Sequence, residues 1–291
     1  MSRRGAGRVG VHASTAGGLE RAVANAAAAG CETMQVFVSN PRGWAERPVD
    51  PDADERFAKA LAAADLWPLW VHGPYLVNFA SADEATRRRS AAITAWTMRR
   101  AAALGADGVV VHAGSHLGAG LAKGLAWARE ALLPVLGELD AALGGPERGP
   151  ALLLELTAGA PNHMAARFEP MAELLAALDD HERLGVCLDT CHAHAAGYDL
   201  ATAAGASATA DRLLATVGGR VALVHANDSR DPAGSGRDRH EAVGRGTIGD
   251  AGFAALLAHP GLAGAAFVSE TSGDPALQRA DVTRLKALRP R

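Results

Sequence analysis

Three cysteines, Cys31, Cys187 and Cys191, are too few in 291 residues for a disulfide framework and point to a reducing compartment. No apolar run reaches the length of a membrane-spanning helix, about 18 residues. The basic start, Met1-Ser-Arg-Arg-Gly-Ala-Gly-Arg8, is followed by no apolar h-region, so no secretory signal is expected. A cytoplasmic location and no membrane partner are the expectations. A dominant charge is missing as well: Lys+Arg 29 against Asp+Glu 32 leave −3, which gives no sign of a nucleic-acid binder. Tandem repeats and low-complexity tracts are absent. What the chain does have is a 48% hydrophobic fraction, enough for a full core and incompatible with general disorder.

One unit recurs: a short apolar run, a polar or glycine-rich stop, then a longer Ala/Leu/Arg stretch with helical spacing. The runs are Val9–His12, Met34–Ser39, Pro68–His72, Gly108–His112, Ala151–Glu155, Leu184–Asp189, Val221–His225 and Ala265–Glu270. Apolar runs without alternation suit strands buried on both faces, as in a parallel sheet covered by helices. Helices are expected at Leu19–Ala29, Glu84–Leu104, Leu121–Leu143, Met164–Leu178 and Asp211–Val217. Eight such units in 291 residues match an α/β fold of the (β/α)8 TIM-barrel type, which takes about 250 residues. An open doubly wound sheet is the alternative, but eight successive units favour closure. The most linker-like stretch, Gly144–Pro150, falls within the repeating pattern, so residues 1–291 are read as a single barrel domain.

Six of the eight runs finish on a metal-capable side chain: His72, His112, Glu155, Asp189, His225 and Glu270. In a (β/α)8 barrel the C-terminal strand ends share one mouth, where active sites lie. One such residue is unremarkable at a barrel rim; six are hard to attribute to rim solvation. Asp189-Thr-Cys-His192 adds an imidazole three residues past a carboxylate, and Asp238-Arg-His240 sets two more groups at i, i+2, pointing the same way in extended chain. Five histidines and four carboxylates are too many for one zinc, which takes about four ligands. They suit two or three ions with a shared carboxylate, Zn²⁺ or Mn²⁺ given nitrogen and oxygen donors. Ions about 3.5–4 Å apart characteristically serve phosphoryl displacement. Three divalent ions would carry the protein from −3 to +3 and leave the mouth attractive to a phosphodiester.

With those residues in place, the chain resembles the endonuclease IV family of apurinic/apyrimidinic (AP) endonucleases. The matching stretches are His12–Gly18, His72–Leu76, His112–Leu117, Glu155–Gly159, Gly185–Ala193 with Ala195–Asp199, His225–Ser229, Asp238–His240 with Gly244–Gly249, and Glu270-Thr271. The resemblance runs nearly end to end and is most specific around Asp189–Asp199. It implies a trinuclear zinc site in which His72 and His112 hold one ion with Glu155, which bridges to a second. Asp189, His225 and Glu270 complete the second site, and His192, Asp238 and His240 hold the third. It also implies hydrolysis of the phosphodiester 5′ to an abasic nucleotide in double-stranded DNA, leaving a 3′-hydroxyl and a 5′-deoxyribose phosphate, with Glu155 catalytic. Trimming of 3′ ends is a further implied activity. The family bends DNA and extrudes the baseless nucleotide, which is cheap to unstack. Arg42 and Tyr75 match its wedge positions, although Tyr75 could equally be a rim aromatic. Arg230, Arg237 and Arg239 are placed to meet phosphates, or simply belong to a solvated loop.

Two positions depart from the family pattern. Leu156 stands where an asparagine commonly follows the bridging glutamate, which removes an amide near the site, and Ala113 replaces a common proline. His12, His116 and His194 are expected near the mouth, orienting ligands; His163, His181 and His259 are expected on the surface or in loops. Cys187 and Cys191 read as small hydrophobes; a thiolate ligand at Cys191 is the disfavoured alternative, since the oxygen and nitrogen set is already complete. A competing reading is a two-metal sugar isomerase or epimerase using Glu155, Asp189, His225 and Glu270, which leaves the other five groups idle. Another is a non-cleaving lesion-binding module, which need not keep a complete ligand set. The open mouth favours a monomer.

Overall fold

The computed structural model describes residues 7–271 and 273–290; the basic start up to Ala6 lies outside them. Eight parallel strands close into a barrel: β1 (Val9–His12), β2 (Thr33–Phe37), β3 (Leu69–His72), β4 (Gly108–His112), β5 (Ala151–Glu155), β6 (Leu184–Asp189), β7 (Val221–His225) and β10 (Ala266–Ser269). The remaining two, β8 (Asp228–Ser229) and β9 (His240–Glu241), form a small antiparallel ladder on the mouth side of β7. Strand order round the barrel follows the chain, with β10 between β7 and β1.

The unalternating apolar runs are explained by burial on both faces. Val110, Leu153, Cys187, Leu223 and Val268 point into the barrel around Trp70, whose indole N–H donates to Thr33 Oγ1 at 3.2 Å. Their neighbours Val109, Val111, Leu152, Leu154, Val186 and Leu188 pack outward under the helices. Gly108 makes room for the indole, since a Cβ there would lie 2.9 Å from Trp70 Cζ3.

The helices are α1 (Leu19–Ala29), α2 (Pro51–Ala63), α3 (Glu84–Ala103), α4 (Leu121–Leu143), α5 (Phe168–Ala177), α6 (Thr190–Ala195), α7 (Ala203–Val217), α8 (Gly249–Ala258) and α9 (Pro275–Leu288). Asp50, Asp83 and Asp274 each cap a helix by accepting two backbone N–H groups, at α2, α3 and α9. Two helix starts differ from the sequence expectation. The segment before α5 does not coil at Met164, because Met164 N bonds Gly114 O and Thr157 N bonds Ala165 O, tying it to neighbouring loops. Helix α7 begins earlier than Asp211, at Ala203, where Thr202 accepts from Gly205 N as its cap. The linker-like stretch is pinned: Arg183, 1% exposed, donates to the carbonyls of Gly145, Arg148 and Pro150.

Register brings the chemistry level. Phe37 pairs with His72, His112 with Glu155, and Asp189 with His225. Side chains about 200 residues apart along the chain thereby reach the same height at one rim.

Candidate metal centre

Glu155 lies at the middle of the rim, 1% exposed, with its two oxygens turned to different partners. Oε2 is 3.2 Å from His72 Nε2 and 3.0 Å from His112 Nε2, while Oε1 is 3.0 Å from His225 Nδ1. On the second side His225 Nδ1 is also 3.2 Å from Glu270 Oε2 and 3.9 Å from Asp189 Oδ2. Asp238 joins the remaining imidazoles, with Oδ2 3.1 Å from His192 Nε2 and Oδ1 3.1 Å from His240 Nε2. All nine sequence-selected groups are therefore in one cluster. Donor atoms fall within 4.8 Å of one another in the sets His72–His112–Glu155 and Glu155–Asp189–His225–Glu270. The third set is broader than the sequence suggested: Asp189, His192 and His240 form one such group, and Cys191, Asp238 and His240 another.

Two of the imidazoles keep one nitrogen for the cluster because a backbone carbonyl occupies the other. His72 Nδ1 donates to Gly73 O at 2.7 Å and His192 Nδ1 to Leu156 O at 2.8 Å. Asp189, the last residue of β6, also caps α6 by accepting from His192 N at 2.7 Å, which turns His192 back over the rim. Asn227 Nδ2 joins two carboxylates, donating to Asp189 Oδ2 at 2.7 Å and Glu270 Oε2 at 3.2 Å.

Ionisation is governed by this crowding. Burial, the largest influence on Glu155, raises its pKa, yet His225 and His112 together outweigh it and hold the carboxyl well below the ordinary range. Glu270 is likewise lowered against burial by His225 and His12, and Asp238 by His192 and His240. His192 is pushed up to about 10, since Asp189, Asp238 and Glu155 overcome the opposing effect of burial. The carboxylates of the cluster thus favour positive charge beside them. One atom says the same by its geometry: His240 Nε2 is buried and makes no hydrogen bond, although it lies between Asp238 Oδ1 at 3.1 Å and Asp189 Oδ2 at 3.6 Å. Contacts that are close but misaligned for a hydrogen bond suit a shared cation. Imidazole nitrogens and carboxylate oxygens in these numbers fit divalent ions such as Zn²⁺ or Mn²⁺.

Above the cluster opens a cavity of about 970 Å³. Arg42 and Tyr75 line it, and Tyr75 N donates to Pro41 O at 2.9 Å, so the two candidate wedges ride on joined loops. Tyr75 is 51% exposed beside the exposed Leu76. Its ring meets Phe37 edge-on at 5.3 Å, and burial of the phenol, then Glu270 and Glu155, push its pKa up to about 12. Arg230, Arg237 and Arg239 are not in the cavity wall. Arg239 is paired with both oxygens of Asp231, Arg237 lies 3.5 Å from Asp231 Oδ1, and Arg230 is 3.3 Å from Glu241.

Several expectations need correction. The Leu156 side chain is buried in the apolar layer outside the barrel, and what the site uses from it is its carbonyl, which any residue supplies. His12 does touch Glu270, at 3.2 Å, but His116 and His194 contact no member of the cluster. His116 Nδ1 accepts from Gly118 N and Gly120 N at 3.3 Å, and His194 Nε2 meets Thr247 Oγ1 at 3.2 Å. His259 lies in a loop as expected, just after α8, where it is buried 3.1 Å from Asp211. Cys187 and Cys191 are buried thiols whose pKa burial pushes up to about 12. Three contributors escaped sequence reasoning: Gln35 and Asn227, which bond cluster members, and Arg47 in the cavity wall. A glutamine inside an otherwise apolar strand run was the available signal for Gln35.

A family model described as a xylose isomerase-like TIM barrel matches residues 23–288. A protein named probable endonuclease 4 from Streptomyces coelicolor is 46% identical over 285 residues, which cover 97% of this chain and 95% of that one. Endonuclease IV from Thermus thermophilus superposes with a TM-score of 0.83 at 36% identity, covering 97% of this chain and 98% of the other. An L-ribulose 3-epimerase shares the fold alone, at 22% identity and a TM-score of 0.65. With identity at this level over nearly the whole length, the chain belongs to the endonuclease IV family of DNA-repair nucleases.

Proposed function

We propose that the protein is a zinc-dependent AP endonuclease of base excision repair. It hydrolyses the phosphodiester 5′ to an abasic nucleotide in duplex DNA and leaves a 3′-hydroxyl and a 5′-deoxyribose phosphate, with 3′-end trimming as a side activity. The observation that carries the reading is Glu155, buried at the floor of an open cavity with one oxygen toward His72 and His112 and the other toward His225. A carboxylate so placed is suited to bridge two ions. In this reading His72, His112 and Glu155 hold the first zinc; Glu155, Asp189, His225 and Glu270 the second; His192, Asp238 and His240 the third, with Mn²⁺ an acceptable substitute at one or more.

Ions held there would lower the pKa of a bound water toward about 7 and neutralise charge on the departing oxygen. The protein's own groups do the rest. The imidazoles around Glu155, Glu270 and Asp238 favour their ionised form, and the backbone carbonyls of Gly73 and Leu156 keep His72 and His192 turned to the cluster. Tyr75 and Arg42 reach into the space that the DNA vacates when the baseless sugar leaves the stack. Arg230, Arg237 and Arg239 stand on the adjacent hairpin, within reach of flanking phosphates. The whole chain acts as one domain with its site at the C-terminal strand ends, as a cytoplasmic monomer, because duplex DNA must reach the mouth. The four-residue set that a sugar isomerase would need is present, but it leaves His72, His112, His192, Asp238 and His240 without a purpose.

The test is cleavage by the zinc-loaded protein of a duplex carrying one abasic-site analogue. A single nick 5′ to the analogue is expected, with matched duplex intact. No scission, or equal scission of both duplexes, would sink the assignment.

A further inference from the structure

Gln35 points from β2 into the barrel and is fully buried, and its carboxamide is wholly engaged. Nε2 donates to Glu270 Oε1 at 2.7 Å and lies 2.9 Å from His12 Nδ1, and Oε1 accepts from His225 Nε2 at 3.0 Å. The arrangement has one consistent proton pattern. An ionised carboxylate only accepts, so the amide nitrogen must face Glu270 and the amide oxygen must face His225. That oxygen cannot donate, so His225 carries a proton on Nε2. Nδ1 is then the nitrogen directed at Glu155 Oε1, 3.0 Å away, and Glu270 Oε2, 3.2 Å away.

His225 differs here from His72 and His192. Their outer nitrogens are held by backbone carbonyls, which no substitution deletes, whereas His225 depends on a side chain. The same amide also steadies Glu270, so two members of one four-donor group share a single support. We propose that Gln35 is a positioning residue: it fixes the Nε2–H tautomer of His225 and the orientation of Glu270, and so readies the Glu155–Asp189–His225–Glu270 group for a divalent ion. This inference rests on the metal reading above.

The experiment compares unmodified protein with Gln35→Met, of similar length but without polar atoms, and Gln35→Glu, which keeps an acceptor for His225. Zinc stoichiometry and affinity are read by chelator competition, and imidazole tautomers by long-range ¹H–¹⁵N spectra of the metal-free protein. Gln35→Met should weaken one zinc by about 10–100-fold, leave the other two unchanged, and lose the His225 Nε2–H signal. Gln35→Glu should keep that signal. Unaltered affinity for every ion in Gln35→Met would overturn the proposal, as would loss of the Nε2–H signal in Gln35→Glu, which decides the matter if Gln35→Met does not fold. Fewer than three ions on the unmodified protein would instead overturn the metal reading on which it rests.

Discussion

The two flanks of the cluster are built differently. On one, His72, His112, Glu155 and His225 are strand ends, with side chains 3%, 28%, 1% and 0% exposed. On the other, Asp238 and His240 come from the hairpin loop after β7, and their side chains are 53% and 24% exposed. Barrel register fixes the first flank, so its geometry is as rigid as the sheet itself. The second needs its own scaffold, and Asp228 supplies it. That buried carboxylate accepts five backbone N–H groups: Ser229 and Ile248 on Oδ1, and Gly244, Gly246 and Gly249 on Oδ2, at 2.8–3.2 Å. The glycines of Gly244-Arg-Gly-Thr-Ile-Gly249 follow from this wrapping. A Cβ on Gly246 would fall 2.4 Å from Asp228 Oδ1, and Gly244 and Gly249 have φ of +72° and +70°. One flank is thus positioned by the fold and the other by an anion buried in a loop.

The largest effect should come from the carboxylate that belongs to both ion groups of the strand-borne flank. Glu155→Ala is expected to cut cleavage of the abasic duplex by at least about 10³-fold, more than about 4 kcal/mol of barrier, with little loss of DNA affinity. Metal analysis should show two sites impaired. Unchanged turnover would refute the bridging role. Asp238→Ala probes the hairpin flank and should remove one ion, weakening its binding by about 10²-fold, while the strand-borne pair keeps its affinity. If all three ions weaken together, the flanks are not independent and the comparison fails.

The same contrast decides what the sequence could reveal. Strand-borne groups were legible because an apolar run announces a strand and its last residue announces the rim; six of the nine were readable that way. Asp238 and His240 could be singled out by their spacing, but the loop holding them could not be described, since β8 and β9 are two residues each and too short for periodicity. The supports were the least legible. Gly73 O and Leu156 O orient imidazoles as backbone atoms, and a carbonyl has no letter in a sequence. Leu156 misled for the same reason: the letter changed from the family pattern while the functional atom stayed. Histidine, conversely, was over-read, because His116 and His194 bond loop groups at the same rim.

A smaller effect, confined to the hairpin flank, is expected from its scaffold. In Asp228→Asn an N–H₂ group replaces one acceptor oxygen and faces donors it cannot satisfy, at a cost of about 2–4 kcal/mol. The midpoint of denaturant unfolding should fall accordingly. Affinity at the His192–Asp238–His240 set should fall with it, while the His72–His112–Glu155 set is unaffected. A drop in global stability with all ions equally retained would mean that Asp228 holds the fold and not the flank.

The smallest expected difference separates arginines that the sequence treated alike. Arg239 spends its charge on Asp231, in a two-point pair, so a phosphate brought near it meets a neutralised group. Arg42 lines the cavity and, among the described residues, makes no ion pair. A cation free to replace counterions on DNA contributes about one to the slope of log K against log salt, whereas a compensated one contributes little. Arg42→Ala should therefore lower the salt slope for abasic duplex by about one and weaken binding most at low salt. Arg239→Ala should change it by less than half as much, and adding Asp231→Asn to the unmodified protein should raise it by freeing the guanidinium. Equal slopes for Arg42→Ala and Arg239→Ala would show that the Asp231 pair opens when DNA arrives, and that the hairpin flank, like the cavity wall, is an electrostatic surface and not only a ligand carrier.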